Sequence, residues 1–119
     1  MGFVIKKNIT GNYYLTAPDD DLQLSLTYGK PDEDFYSGII ESTVFAVGYN
    51  KDYIIAKQHP RKFPDDLDRT ITNYYILPIT HNYNWNLIGP LTLIEFNAER
   101  QKLKIPKSLQ FSIEYENLK

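Results

Sequence analysis

Leu22-Gln23-Leu24-Ser25-Leu26-Thr27-Tyr28 alternates apolar and polar residues with a period of two. A pleated strand sends successive side chains to opposite faces. Leu22, Leu24, Leu26 and Tyr28 therefore share a dry face, and Gln23, Ser25 and Thr27 share a wet one. Upstream, Gly11-Asn12 precedes the β-prone run Tyr13-Tyr14-Leu15-Thr16-Ala17, which Pro18 and Asp19, Asp20 and Asp21 end as a turn. Downstream, Thr43-Val44-Phe45-Ala46-Val47-Gly48-Tyr49 is almost continuously apolar. That pattern predicts a central strand covered on both faces. Asn50-Lys51-Asp52 is a short turn into Tyr53-Ile54-Ile55-Ala56-Lys57-Gln58, the predicted hairpin partner. Gly48 stands where a bulge or a close neighbour is expected. Residues 59–72 are polar and broken by Pro60 and Pro64, which reads as a surface excursion. Asn73-Tyr74-Tyr75-Ile76-Leu77 follows as a strand that Pro78 ends or confines to an edge.

One helix is marked near the C-terminus. Thr92 and Glu95 have the spacing of a capping box, and Leu91 and Phe96 that of a hydrophobic staple. Leu93, Phe96 and Leu103 form an apolar stripe over 92–104. Arg100, Lys102 and Lys104 suit the negative end of the helix dipole, and Pro106 closes the segment. Leu109 to Tyr115 alternates again and predicts a last strand. The expected architecture is α+β: a mostly antiparallel sheet of about five or six strands with one C-terminal helix on one face. Without the helix, that face would leave its apolar residues wet.

The chain has 119 residues and a net charge of −2, with 42% apolar and 24% charged residues. This suits a single folded domain over 1–119 and gives no general attraction to phosphate backbones, so no nucleic-acid partner is expected. Lys57, Arg61 and Lys62 form a basic cluster too small to reverse that reading. There is no cysteine, which excludes disulfides, thiol catalysis and Cys-ligated metals. No apolar run approaches the roughly 18 residues of a membrane-spanning helix.

Little here points to catalysis. His59 and His81 sit in separate loops and are expected at the surface, with no HExxH spacing. Asp65-Asp66-Leu67-Asp68 offers carboxylates but lacks the Gly and Glu positions of an EF-hand loop. No catalytic residue, metal site or cofactor is therefore expected. The surface candidates are aromatic and acidic. Asn82, Tyr83, Asn84 and Trp85 combine flat apolar rings with amide donors and acceptors, which suits a protein hot spot or a glycan. The bland reading, which a single Trp in a small domain favours, is that Trp85 tucks inward and pins its loop while the Asn residues make turns. In Tyr13-Tyr14 and Tyr74-Tyr75 one ring of each pair faces the core and the other faces out. Asp32, Glu33, Asp34, Asp65, Asp66 and Asp68 would form an acidic contact face if they share a surface.

Several segments resemble a small uncharacterised bacterial family, a domain of unknown function. They are Gly11-Asn12-Tyr13-Tyr14-Leu15, Val47-Gly48-Tyr49-Asn50 with Tyr53-Ile54-Ile55-Ala56-Lys57-Gln58, then Tyr74-Tyr75-Ile76, and Gly89-Pro90-Leu91-Thr92 with Glu95-Phe96 and Leu103-Lys104-Ile105. They span most of residues 11 to 106. The resemblance implies a small envelope or lipid-anchored protein and carries over no activity. Neither a signal peptide nor a lipid-acceptor cysteine is visible. The expected location is the envelope if Met1-Gly2 stands where a signal once ended, and the cytoplasm otherwise. The expected function is a non-enzymatic binding module for a protein or glycan, acting as a monomer or weak dimer. The alternative is a toxin-neutralising immunity-type protein that uses the acidic face.

Overall fold

A computed structural model describes residues 2–30, 36–62, 66–79 and 86–119. The strands are β1 (Ile5–Thr10), β2 (Tyr13–Ala17), β3 (Ser25–Tyr28), β4 (Ser37–Ile40), β5 (Val44–Tyr49), β6 (Tyr53–Gln58), β7 (Arg61–Lys62), β8 (Asp66–Leu67), β9 (Asn73–Pro78), β10 (Ile88–Leu91) and β11 (Ile113–Glu114). The helix α1 covers Leu93–Lys102.

The strands form two main antiparallel sheets, not the single sheet expected from the sequence. One has four strands in the order β1-β2-β3-β4; the other has five in the order β10-β9-β6-β5-β11. A two-stranded ribbon joins β7 to β8. The reason for two sheets lies in how many apolar faces need cover. Ile54, Ala56, Tyr75, Leu77 and Val47 project from the five-stranded sheet and meet Tyr13, Leu15, Ala17, Leu24 and Leu26 of the other. Ile55 and Ile76 project the opposite way and meet Phe96, Ile105 and Leu109. The five-stranded sheet is thus a middle layer, dry on both sides, as the run Val44–Val47 predicts. The four-stranded sheet is dry on one side only.

Local sequence accounts for the element ends. Leu24 and Leu26 are fully buried and Leu22 and Tyr28 half-buried, whereas Thr27, expected on the wet face, is buried as well, its hydroxyl satisfied by that of Thr16. The strand itself starts only at Ser25, because Asp21–Gln23 form a 3-10 turn capped by the Asp20 carboxylate, which accepts from the Leu22 amide at 2.8 Å. Gly11, with φ of 54°, makes the left-handed turn between β1 and β2. Gly48 lies under a close neighbour: a Cβ there would collide with the backbone carbonyl of Gln110. The predicted last strand, 109–115, contracts to β11, because Leu109 is drawn to the helix side and the chain crosses Gly48 before it pairs with β5.

The capping box of α1 is present in both directions. The Glu95 amide donates to Thr92 Oγ1 at 3.2 Å, and the Thr92 amide donates to Glu95 Oε1 at 2.9 Å. At the other end the Ile105 amide reaches the Arg100 carbonyl at 2.9 Å and the Lys104 amide reaches that of Gln101 at 3.1 Å. With Lys104 at φ 57°, this is a Schellman ending. The apolar stripe is narrower than predicted. Phe96 is buried and Leu103 is half-buried, but Leu93 is 52% exposed. The helix starts straight after the edge strand β10, so its first turn lies at the rim of the sheet it covers.

Candidate binding surface

The four-stranded sheet turns its second face outward. Pairing places Lys6, Thr16 and Ser25 in one row across β1, β2 and β3, and Asn8, Tyr14, Thr27 and Gly38 in the next, ending in β4. The helix packs against β9 and β10, on the far side of the other sheet, so it leaves this face without helical cover. Three half-buried rings gather here. Tyr36 meets Phe3 edge-to-face at 5.7 Å and 88°, and meets Tyr14 at 5.3 Å and 83°. The Lys6 ammonium lies 5.2 Å from the Tyr36 ring centre, 5.7 Å from that of Tyr14 and 6.0 Å from that of Phe3. Ring faces are electron-rich, so the three rings form a cage around the cation.

Gly29 makes the cage possible, since a side chain there would occupy the space of the Tyr36 ring. Beside the cage runs a groove of about 720 Å³ lined by Phe3, Thr16, Pro18, Thr27 and Tyr36. Thr16 and Thr27 tie its floor together with hydroxyls 3.2 Å apart. The Tyr36 hydroxyl is shielded and has no hydrogen-bond partner among the described residues. An unsatisfied buried hydroxyl costs about 1–3 kcal/mol, so it favours a ligand group that can reach it.

A second cleft, of about 770 Å³, opens beside β4. Its far wall is a hydrogen-bonded set on β6 and β9. Gln58 Nε2 donates to the Glu41 carbonyl at 2.8 Å, and Gln58 Oε1 accepts from Asn73 Nδ2 at 2.9 Å and, more weakly, from the Tyr75 hydroxyl at 3.4 Å. Burial and, secondarily, the Glu41 carboxylate push the Tyr75 phenol above its ordinary value, while the bond to Gln58 pulls it partly back. Arg61 Nη1 donates to the Leu22 carbonyl at 3.0 Å and ties the cleft to the 3-10 turn before β3.

Residues 10–117 match a family model described as Protein of unknown function (DUF3997). The chain belongs to the DUF3997 family. No curated protein and no solved structure matched it. The DUF3997 match encloses every segment on which the resemblance rested, and it covers β2 to β11 together with α1.

Several candidate residues of this DUF3997 chain can now be placed. Tyr14 faces out and Tyr13 in, as alternation predicts. Tyr75 faces the core between the sheets, and Tyr74 faces the other way. There Tyr74 is roofed by Phe96 at 5.0 Å and Phe111 at 6.4 Å, so it is no contact surface. His59 is buried, not exposed as expected. It stacks on Phe45 at 4.2 Å, and its Nδ1 lies 2.8 Å from the Ile71 carbonyl, because Thr43 and His59 extend the β5–β6 ladder inward. Asp66 and Asp68 serve their own turns: Asp66 Oδ1 accepts from the Leu67 amide at 2.7 Å, and Asp68 Oδ1 from the Thr70 amide at 3.1 Å. Asp32, Glu33, Asp34, Asp65, His81, Asn82, Tyr83, Asn84 and Trp85 lie outside the described residues. No helix among the described residues is long and apolar enough to cross a membrane.

Sequence reading missed Phe3, Lys6 and Tyr36 as one group. The only signal was that β1 places Ile5 and Ile9 four residues apart, with Lys6 and Asn8 at the outward positions.

Proposed function

We propose that this DUF3997 chain is a non-enzymatic module that binds a protein partner through the outer face of its four-stranded sheet. The observation that carries the reading is the aromatic cage of Phe3, Tyr14 and Tyr36 around Lys6, beside a groove holding a shielded hydroxyl that has no partner among the described residues. Aromatic side chains and a cation on an otherwise polar surface have the composition of an interface hot spot. The Lys6 ammonium lies over the faces of all three rings, which takes up ring surface on which a sugar would stack and favours a protein over a glycan. Asn82, Tyr83, Asn84 and Trp85 remain a proposed second contact element. No observation favours the acidic immunity-type face.

The test is site-specific photo-cross-linking in cells. A photoreactive residue replaces Tyr14 in one protein and Gln101, exposed on α1, in another. The expected result is a discrete adduct from position 14 that disappears when Tyr36→Ala is added, and none from position 101. Adducts from both positions, or none from position 14, would refute the reading.

A further inference from the structure

Two sheets have four terminal strands, and a terminal strand carries backbone N–H and C=O groups that its own sheet does not pair. Three of the four are guarded. β1 bears the exposed Lys6 and Lys7. β10 contains Pro90, which has no N–H to offer. β11 is two residues long. The fourth, β4, reads Ser37-Gly38-Ile39-Ile40, with neither charge nor proline; its one irregularity is the extra residue Ile39 in its pairing with β3, and Ser37 and Gly38 are exposed. Among the described residues no strand pairs with its outer edge.

The clefts show what that edge is shaped for. Residues 38 to 42 all line the cleft whose far wall holds Gln58 and Asn73. A hollow lying on one face of a strand is lined by every second residue. Three of the five belong to β4, where Ile39 is an extra residue in the pairing with β3, and Glu41 and Ser42 continue past its end, so the hollow follows the chain along the strand and beyond it. Gly38 and Ser42 also line the outer groove, with Phe3 and Tyr36. The backbone of β4 therefore has a polar hollow on its inner side and an aromatic one on its outer side.

We infer that β4 receives an extended segment of the partner protein as an added strand. This rests on the binding-module reading above and names the partner's conformation. About four residues pair with Ser37–Ile40. Alternate side chains of the incoming strand enter the Gln58–Asn73 hollow and carry hydrogen-bonding groups. The side chains between them lie against Phe3 and Tyr36 and are apolar. So short a ladder gives affinities on the order of micromolar.

The probe is a phage-displayed random octapeptide library selected on the purified chain, followed by fluorescence anisotropy of synthetic peptides chosen from it. Selected peptides are expected to alternate polar and apolar residues. Backbone N-methylation at every second residue should weaken binding about tenfold, and methylation at the residues between should leave it within about twofold. Gly38→Lys, at a position where a new Cβ meets nothing within 4 Å, should also cost about tenfold without changing the melting temperature. A library that yields no binder, uniform sensitivity to N-methylation, or an unaffected Gly38→Lys overturns the added strand. If Gly38→Lys binds normally while Tyr14→Ala does not, the edge proposal falls and the aromatic-face reading stands.

Discussion

Removing the Phe96 ring should detach the helix. Phe96 is the one buried residue of α1, at 2% exposure. Its ring lies 5.0 Å from Tyr74 and 5.9 Å from Phe111, and the Arg100 guanidinium sits 5.7 Å above it. Truncating a buried Phe to Ala costs about 3–5 kcal/mol, from lost transfer energy plus the cavity left behind. In a chain this size each kcal/mol lowers the melting temperature by about 4 °C, so Phe96→Ala should melt about 12–20 °C early. Thermal denaturation followed by circular dichroism measures the total, and native-state hydrogen exchange locates it. Amides of 97–103 should exchange far faster while those of β5 and β6 keep most of their protection. Ile94→Ser, at a site 83% exposed, is the control and should stay within about 0.5 kcal/mol of the parent. A Phe96→Ala cost below about 1 kcal/mol, or an Ile94→Ser cost as large as that of Phe96→Ala, would mean that the helix docks by another face.

Thr92→Ala should lose about 1 kcal/mol by breaking the capping box, and Thr92→Ser should keep most of it; the urea midpoint at constant slope measures both. Gly48→Ala should cost about 1–3 kcal/mol by pushing Gln110 off the sheet, with faster exchange at 109–114, whereas Gly38→Ala, with open space around it, should be near neutral in denaturant melts. Gln58→Leu should cost about 1–3 kcal/mol in the same melts, since the Glu41 carbonyl and the Asn73 amide lose their partner. Stability should fall at alkaline pH. Burial and Glu41 hold the Tyr75 proton in the folded state above the unfolded value of about 10, so the contribution is complete below pH ~10 and is lost as pH rises through the folded value. Tyr75→Phe should flatten that decline in melts between about pH 9 and 11.5, leaving the part due to Tyr115, which burial shifts the same way.

Elements with a strong local signal were legible in the sequence. β2 and β6 run as read, because turn residues bound them on both sides. The capping box gave the start of α1 by side-chain chemistry alone. β1, β4 and β10 had no such signal. β1 carries two adjacent lysines, β4 is four residues long, and β10 contains Pro90, so each resembles a loop by composition. They are strands because a neighbour supplies the ladder, which is tertiary information. The missing strands also explain the error in sheet number. Counting only β2, β3, β5, β6, β9 and a last strand yields enough for a single sheet, and nothing local says that β3 pairs with β4 while β5 starts another.

The site was less legible than the fold, for a related reason. Alternation required one ring of Tyr13-Tyr14 to face in and the other out, and Tyr13 is the inward one. It could not tell whether an outward ring meets solvent or a second layer. Tyr74 and Tyr14 have the same local pattern, yet Tyr74 sits under α1 and Tyr14 does not. The difference depends on which sheet the lone helix chooses, and the helix chooses by matching Phe96, Ile105 and Leu109 to Ile55 and Ile76. Among the described residues the one α-helix covers the five-stranded sheet, which leaves the outer face of the four-stranded sheet without helical cover. Here that face has collected Phe3, Lys6, Tyr14 and Tyr36 where polar residues alone would have been enough for solubility. Their placement beside the one edge strand without charge or proline is the physical reason for reading the two features as a single contact surface.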